Sequence, residues 1–345
     1  MKLDIHTHAF TADDLGGNYI KIINTWLERR IEKSWLLRLC LRLLNPFSSS
    51  DKLEYTANFL REQAKSTEQK VSEWFKFINH RYKGEDWGLN ILTVDFDYMK
   101  RGTPKRKFEA QLKAALAEKY RDAYRREHVK VYMGIDPRRP DLYELIAKYI
   151  NQVDGFKLYC YNGFFPYDER LNLFYQICES HKKPVLFHCS DTNINYYGGS
   201  DIKELLKKSK FILLSDRKRT SNKDLSTNFC NPAGYELVIK NNPNVNFIIA
   251  HWGGCKLFRD MVTRIGITYK NGFIDPSFFA AKKENQDYML DMFHKFPILK
   301  EKVLFGSDTP MIEIEGGKGL IYKMDKVLIP ETWEKVTTNW EKLYN

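Results

Sequence analysis

Eight short apolar runs separated by amphipathic helical stretches predict an α/β protein, a (β/α)8 (TIM) barrel with a long helical insertion after its first strand. Two further observations support that class. The first strand begins almost at the first residue, and metal-competent side chains recur at the ends of the apolar runs. No internal repeat, low-complexity tract or interdomain linker divides the 345 residues, so a single domain over 1–345 is expected.

In "MKLDIHTHAF" the alternation of Leu3 and Ile5 with Asp4 and His6 reads as the first strand. Side chains two apart on a strand share a face, which places His6 and His8 together, about 7 Å apart, where they can close on one cation. An insertion over roughly 10–88 follows. Residues 18–44 have apolar positions at helical spacing, the loop Ser48-Ser49-Ser50-Asp51 interrupts them, and a second helical stretch runs to about Asn79. The plainer reading of this insertion is packing against the core; the sharper one is a lid over the mouth of the barrel.

"LNILTVDFDYM" is the second strand and "FEAQLKAALAEKYRDAYRRE" the helix after it. "HVKVYMGIDPRRP" is the third strand, ending in a Pro-marked turn, and "DLYELIAKYI" is helical. "VDGFKLYCY" is the fourth strand, "YDERLNLFYQICESH" a helix and "KPVLFHC" the fifth strand. Asn231-Pro232 opens a helix as an N-cap with Pro at the first helical position. "VNFIIAH" is the sixth strand, "NGFIDPSF" the seventh and "EKVLFGSD" the eighth, with helices between them and a closing helix at "ETWEKVTTNWEKLY". The leftover run "KFILLSD" at 210–216 is assigned to the connection after strand five.

Composition narrows the function classes. Hydrophobic residues are 43% and charged residues 29% of the chain, as in soluble globular proteins. The net charge of +11 comes from lysines scattered over exposed helix faces, so no nucleic-acid partner is expected, although a basic balance favours a small anionic substrate. The six cysteines (Cys40, Cys160, Cys178, Cys189, Cys230, Cys255) form no C-x-x-C pair and suggest reduced thiols in the cytoplasm. Asp4, His6 and His8 interrupt what a signal peptide would need as an apolar core. The run at 35–44 is broken by Arg38 and Arg42 and cannot span a bilayer, so no membrane partner is expected. A homodimer is left open.

The chemistry-bearing residues fall at strand ends, which form the active-site rim of such a barrel. His6 and His8 end strand one, Lys157 lies late in strand four, His188 ends strand five, His251 strand six and Asp308 strand eight. Singly, each is more often a satisfied structural residue or a turn former. Together at one rim they point to a bound cation. Trp252, Phe164 and Phe165 are candidates for aromatic walls around a small-molecule substrate, and core packing accounts for them equally well. Arg138 and Arg139 offer a bidentate clamp for a carboxylate, against a plainer reading as a solvated turn. Asp95 and Asp97 are ambiguous. No G-x-S-x-G elbow, phosphate-binding G-x-x-x-x-G-K-[ST] loop or G-x-G-x-x-G fingerprint is present.

The ordered motifs "DIHTH", "GFKLY", "LFHCSD", "FIIAHWGG" and "FGSDTP" resemble the metal-dependent amidohydrolase superfamily. They are most similar to its amidohydrolase-2 branch, which includes the aminocarboxymuconate-semialdehyde decarboxylase-like enzymes. The resemblance implies that His6, His8, His188 and Asp308 surround one divalent cation, usually zinc. It makes His251 and Lys157 catalytic, His251 as a handler of substrate or protons. It also admits a second metal should Lys157 be carboxylated. A cation held by imidazoles and a carboxylate with an open position activates a water at neutral pH. The expected reaction is therefore attack of metal-bound hydroxide on a C–N or C–O bond. Asp308 moves the proton, and His251 polarises the carbonyl. Non-oxidative decarboxylation of a small carboxylic acid at the same site is the alternative; a catalytically silent binding barrel is a third reading.

Overall fold

The computed structural model describes residues 1–19, 52–191, 196–211, 221–314 and 323–344, without the side chains of 52–57. Seven parallel strands follow one another in sequence order across a single sheet: β1 (Lys2–Thr7), β2 (Trp87–Leu92), β3 (Val129–Ile135), β4 (Gly155–Leu158), β5 (Val185–Phe187), β6 (Phe247–Ile249) and β7 (Gly272–Ile274). Helices connect them and cover the outer face. Strands buried on both faces read as near-continuous apolar runs, as β2 to β7 do, whereas β1 alternates. Leu3, Ile5, Leu92, Tyr132, Leu186, Ile248, Phe273 and Leu304 fill the inside of the curled sheet. Leu89, Ile91, Val131, Met133, Phe156, Phe187, Phe247 and Ile274 belong to a second cluster with the helices.

Residues 302–309 stand between the two edges of this sheet. Leu304 N donates to Ile274 O (2.8 Å) and Ile274 N to Lys302 O (3.0 Å) on one side. On the other, Ile5 N donates to Phe305 O (2.9 Å), Asp308 N to His6 O (2.7 Å) and His8 N to Thr309 O (2.7 Å). The arrangement is consistent with a (β/α)8 barrel. The expected eighth strand is present as an irregular segment rather than a ladder, because its amides are drawn elsewhere. Phe305 N bonds Val336 O (2.8 Å) on the helix Pro330–Thr338, and Ser307 N bonds the Asp4 carboxylate (2.9 Å).

β2, β4, β5, β6 and β7 are shorter than the strands expected there. β2 stops at Leu92, for example, after which Val94 N and O are taken by the Gln111 side chain. Of the insertion expected over 10–88, the described part holds a short turn at Ala12–Asp14 and the helices Lys52–Gln63 and Thr67–Arg81. The stretch 20–51, with the apolar run at 35–44 and Cys40, lies outside the described residues, as do residues 212–220, which take in 212–216 of the leftover run "KFILLSD". Helix Thr67–Arg81 starts at a Ser66/Gln69 capping box and buries Val71, Trp74, Phe75 and Ile78 in the core. That is the plainer role proposed for this region. The remaining five cysteines are free thiols. No helix among the described residues is long and apolar enough to cross a membrane.

Candidate metal centre

Simple alternation along β1 would give His6 the outward direction of Asp4, whose carboxylate accepts from Trp74 Nε1 (3.1 Å) on the covering helix. A β-bulge prevents this. Asp4 pairs with Leu89 and Thr7 with Ile91, so three steps on β1 match two on β2. The extra residue lets both Ile5 and His6 face inward, and His8 follows His6. At the other end of the chain Asp308 has a left-handed backbone (φ 60°), as do His251 (φ 60°) and Trp252 (φ 46°) at the end of β6. Gly253 and Gly254 continue that left-handed run, so the Gly-Gly of "HWGG" occupies positions where a Cβ would be strained. Non-glycine residues held this way cluster at functional sites.

These elements bring the strand-end residues together. His6 Nε2 and His8 Nε2 are 3.3 Å apart, and Asp308 Oδ1 lies 3.4 Å from the first and 3.2 Å from the second. One ligand atom from each of His6, His251 and Asp308 lies within 4.8 Å of the others. His251 Nε2 also faces His188 Nδ1 at 3.1 Å. Three of these imidazoles have their far nitrogen fixed. His6 Nδ1 is 2.5 Å from Asp275 Oδ2, His8 Nδ1 is 3.1 Å from Leu92 O, and His251 Nδ1 is 3.1 Å from Ser277 O. Each acceptor holds the ring proton on Nδ1, which leaves the Nε2 lone pair directed at the cluster.

Charge reinforces this tautomer assignment. Burial, with Lys157 and neighbouring imidazoles adding to it, holds His6 and His188 well below the ordinary histidine value, and His251 is pushed down to about 4 mainly by burial. All three are neutral at physiological pH, as ligands must be. Lys157 Nζ is buried and has no hydrogen-bond partner among the described residues, and neither has Asp308 Oδ1. Burial depresses the Lys157 ammonium, while the carboxylates of Asp308 and Asp275 pull it back up. Bare lone pairs and an unbonded carboxylate oxygen facing one another are costly in a protein interior. A cation at their centre removes that cost, so the donor set fits a metal.

An amidohydrolase family model (Amidohydro_2) matches residues 101–337, a stretch that holds Lys157, His188, His251 and Asp308. The chain belongs to the amidohydrolase family, in its amidohydrolase-2 branch. No curated protein matches it by sequence. Solved structures share the fold at low identity. A probable 2-pyrone-4,6-dicarboxylic acid hydrolase from Acinetobacter baumannii, with citric acid bound, has a TM-score of 0.56 and 13% identity, covering 99% of this chain and 98% of its own. An amidohydrolase from Burkholderia multivorans with bound zinc has a TM-score of 0.55 and 10% identity, covering 100% and 99%. A 5-carboxyvanillate decarboxylase from Novosphingobium aromaticivorans, complexed with manganese and 4-hydroxy-3-methoxy-5-nitrobenzoic acid, has a TM-score of 0.53 and 14% identity, covering 100% and 96%.

Within this amidohydrolase the remaining candidate residues are placed differently from the metal-competent ones. The Trp252 indole turns away from the cluster into the outer layer. It is fully buried, bonds Thr263 Oγ1 (2.8 Å) and stacks on Phe279, so it packs as core and not as a wall of the mouth. Its left-handed backbone beside His251 sends the two side chains in opposite directions. Arg138 is bidentate to Asp136, two residues before it (2.8 and 2.6 Å), and its guanidinium lies 5.8 Å from the Phe164 ring, itself buried. Arg139 is taken by Asp95 and Asp97 (2.7 and 2.6 Å). The carboxylate clamp expected of these arginines is therefore closed on the chain's own acids. Sequence reasoning missed Asp275 and Ser277. Ser277 Oγ donates to Asp275 Oδ2 (2.8 Å) and lies 3.2 Å from His6 Nδ1 and 3.0 Å from His251 Nδ1. The available signal was an acidic residue directly after the apolar run of "GFID".

Proposed function

We propose that the chain is a metal-dependent hydrolase that cleaves a C–N or C–O bond of a small anionic substrate. The observation that carries this reading is the meeting of three Nε2 lone pairs (His6, His8, His251) with Asp308 Oδ1 at the C-terminal rim of the sheet. His6, His8, His188 and Asp308 would hold one divalent cation, and His251 borders it. Imidazole and carboxylate donors suit zinc or manganese better than magnesium. The fold relatives solved with zinc and with manganese support a divalent ion. When bound, such an ion supplies Lewis acidity and lowers the pKa of a water to about 7.

The chain's own groups do the rest. Asp308 Oδ1, without a hydrogen bond, takes a proton from the attacking water and returns it to the leaving group. His251 has its proton on Nδ1 and presents a lone pair. It therefore orients or deprotonates water, and it can polarise a carbonyl only after gaining a proton. The buried Lys157 ammonium is the donor left for charge developing on the substrate oxygen.

The test is metal analysis of purified protein, followed by a screen of lactones, cyclic amides and esters in 18O-labelled water. Bound metal with label in the product supports hydrolysis. Carbon dioxide release without label replaces it by decarboxylation, and a protein that binds no zinc or manganese on reloading removes the proposal.

A further inference from the structure

We infer that Arg101 is the residue that recognises the substrate's carboxylate, and that the substrate is a small acid whose carboxylate stands apart from the bond that is cleaved; this rests on the metal-site reading above. Arginines are almost never fully buried unless paired. Arg101 is only 5% exposed, yet no carboxylate among the described residues pairs with it. Its single hydrogen bond there runs from Nη2 to Tyr19 O (3.0 Å), and Nε is buried with no partner. The contrast with nearby arginines is sharp: Arg138, Arg139 and Arg106 are all neutralised, by Asp136, by Asp95 and Asp97, and by Asp14.

Its place in the fold suits a recognition role. Arg101 follows β2, and the loops after β1 and β5 meet its segment. Asn18 N donates to Arg101 O (2.8 Å), and Gly198 N donates to Met99 O (3.1 Å). The room is tight, since a Cβ on Gly198 would lie 2.3 Å from Lys100 O and 2.7 Å from Arg101 Cδ. The guanidinium lies 4.5 Å from the Tyr196 ring centroid. All three loops leave the C-terminal ends of their strands, the end that carries His8 and His188. Between Arg101 and the metal-competent histidines lies a file of aromatic rings. Tyr19 packs on Phe96 (5.2 Å), Phe96 on Phe10 (5.3 Å) and Phe10 on His8 (5.3 Å). A cationic fork at one end, the metal-competent histidines at the other and buried apolar rings between them match an acid with an apolar body.

The experiment compares wild type with Arg101→Gln and Arg101→Lys by calorimetric titration of citrate and benzoate, using trimethyl citrate and benzamide as neutral counterparts. Bound zinc and melting temperature are measured on each protein. The expected result is a loss of roughly tenfold or more in affinity for the acids in Arg101→Gln, a smaller loss in Arg101→Lys, and no change for the neutral compounds. Equal losses for acids and neutral compounds would mean that Arg101 only ties loops together. That outcome overturns the inference, as does unchanged acid affinity in Arg101→Gln or a wild type that binds neither acid. Metal content separates the two readings. A wild type that takes up neither zinc nor manganese on reloading removes the metal site, whereas metal-loaded variants with unaltered acid binding remove only the role of Arg101.

Discussion

Asp275 Oδ2 lies 2.5 Å from His6 Nδ1 across a separation of 269 residues, and both side chains are wholly buried. The carboxylate at the end of β7 thus decides which nitrogen of the first-strand histidine is free. Replacing Asp275 with Asn keeps the volume but removes the charge, and the new amide can present either its oxygen or its NH2 group to the ring. Zinc affinity in a chelator competition should fall roughly 10–100-fold, with the metal-free protein still folded by circular dichroism. Ser277→Ala should lose less, because Ser277 O still accepts from His251.

Replacing His8, His188 or Asp308 with Ala should lower zinc affinity by more than the roughly 10–100-fold that loss of a supporting residue costs. Turnover should go with the metal while the far-ultraviolet spectrum stays the same. Full metal content in all three variants would place the cation elsewhere.

Gly306 lies against the His6–Asp275 pair. An added Cβ would come within 2.5 Å of Asp275 Oδ1 and 2.8 Å of His6 Cβ, and neither group has room to retreat. Gly306→Ala should cost about 1–3 kcal/mol in urea unfolding and weaken metal binding as well.

Trp252 supplies a test of the opposite kind. Trp252→Phe removes the bond to Thr263 and part of a buried ring, a loss of roughly 1–2 kcal/mol. Because the indole faces the outer layer, metal content and turnover should be unchanged. A raised KM without loss of stability would return Trp252 to the substrate's surroundings.

Lys70 gives a pH dependence away from the metal centre. Burial pushes its ammonium down to about 7, although Nζ donates to Phe10 O and to Gln63 Oε1 (3.1 Å). The folded pKa lies below the unfolded one, so between about pH 7 and 10.4 the unfolded chain holds more protons and stability from this group rises with pH. The difference across that window is on the order of 4 kcal/mol. Urea unfolding at pH 7 and pH 10 should show this gain in wild type and a smaller one in Lys70→Met.

The residues the sequence revealed were those whose signal is local. A polar group at the close of an apolar run announces a strand end, and this located His188, His251 and Asp308, while Lys157 lies inside β4, one residue before its end. Asp275 gives the same signal, but Asp-Pro also reads as the start of a turn, and its partner is at the other end of the chain. The inward turn of His6 depends on how β1 pairs with β2, since the bulge exists only in that pairing. Likewise, the left-handed backbone of His251 and Trp252 reversed the expected direction of the indole. Arg101 sits in the basic stretch "KRGTPKRK", where nothing local distinguishes it from its neighbours. The eighth strand lost its regularity to Asp4 and Val336, contacts that no periodicity could announce.

The segment 302–309 joins the sheet's two edges and delivers Asp308 to His6 and His8. During synthesis the opening histidines leave the ribosome some three hundred residues ahead of this aspartate. A nascent chain therefore cannot assemble this cluster until its last stave is in place, and under the proposed metal binding capture of an ion would be a late checkpoint that rewards completed folding.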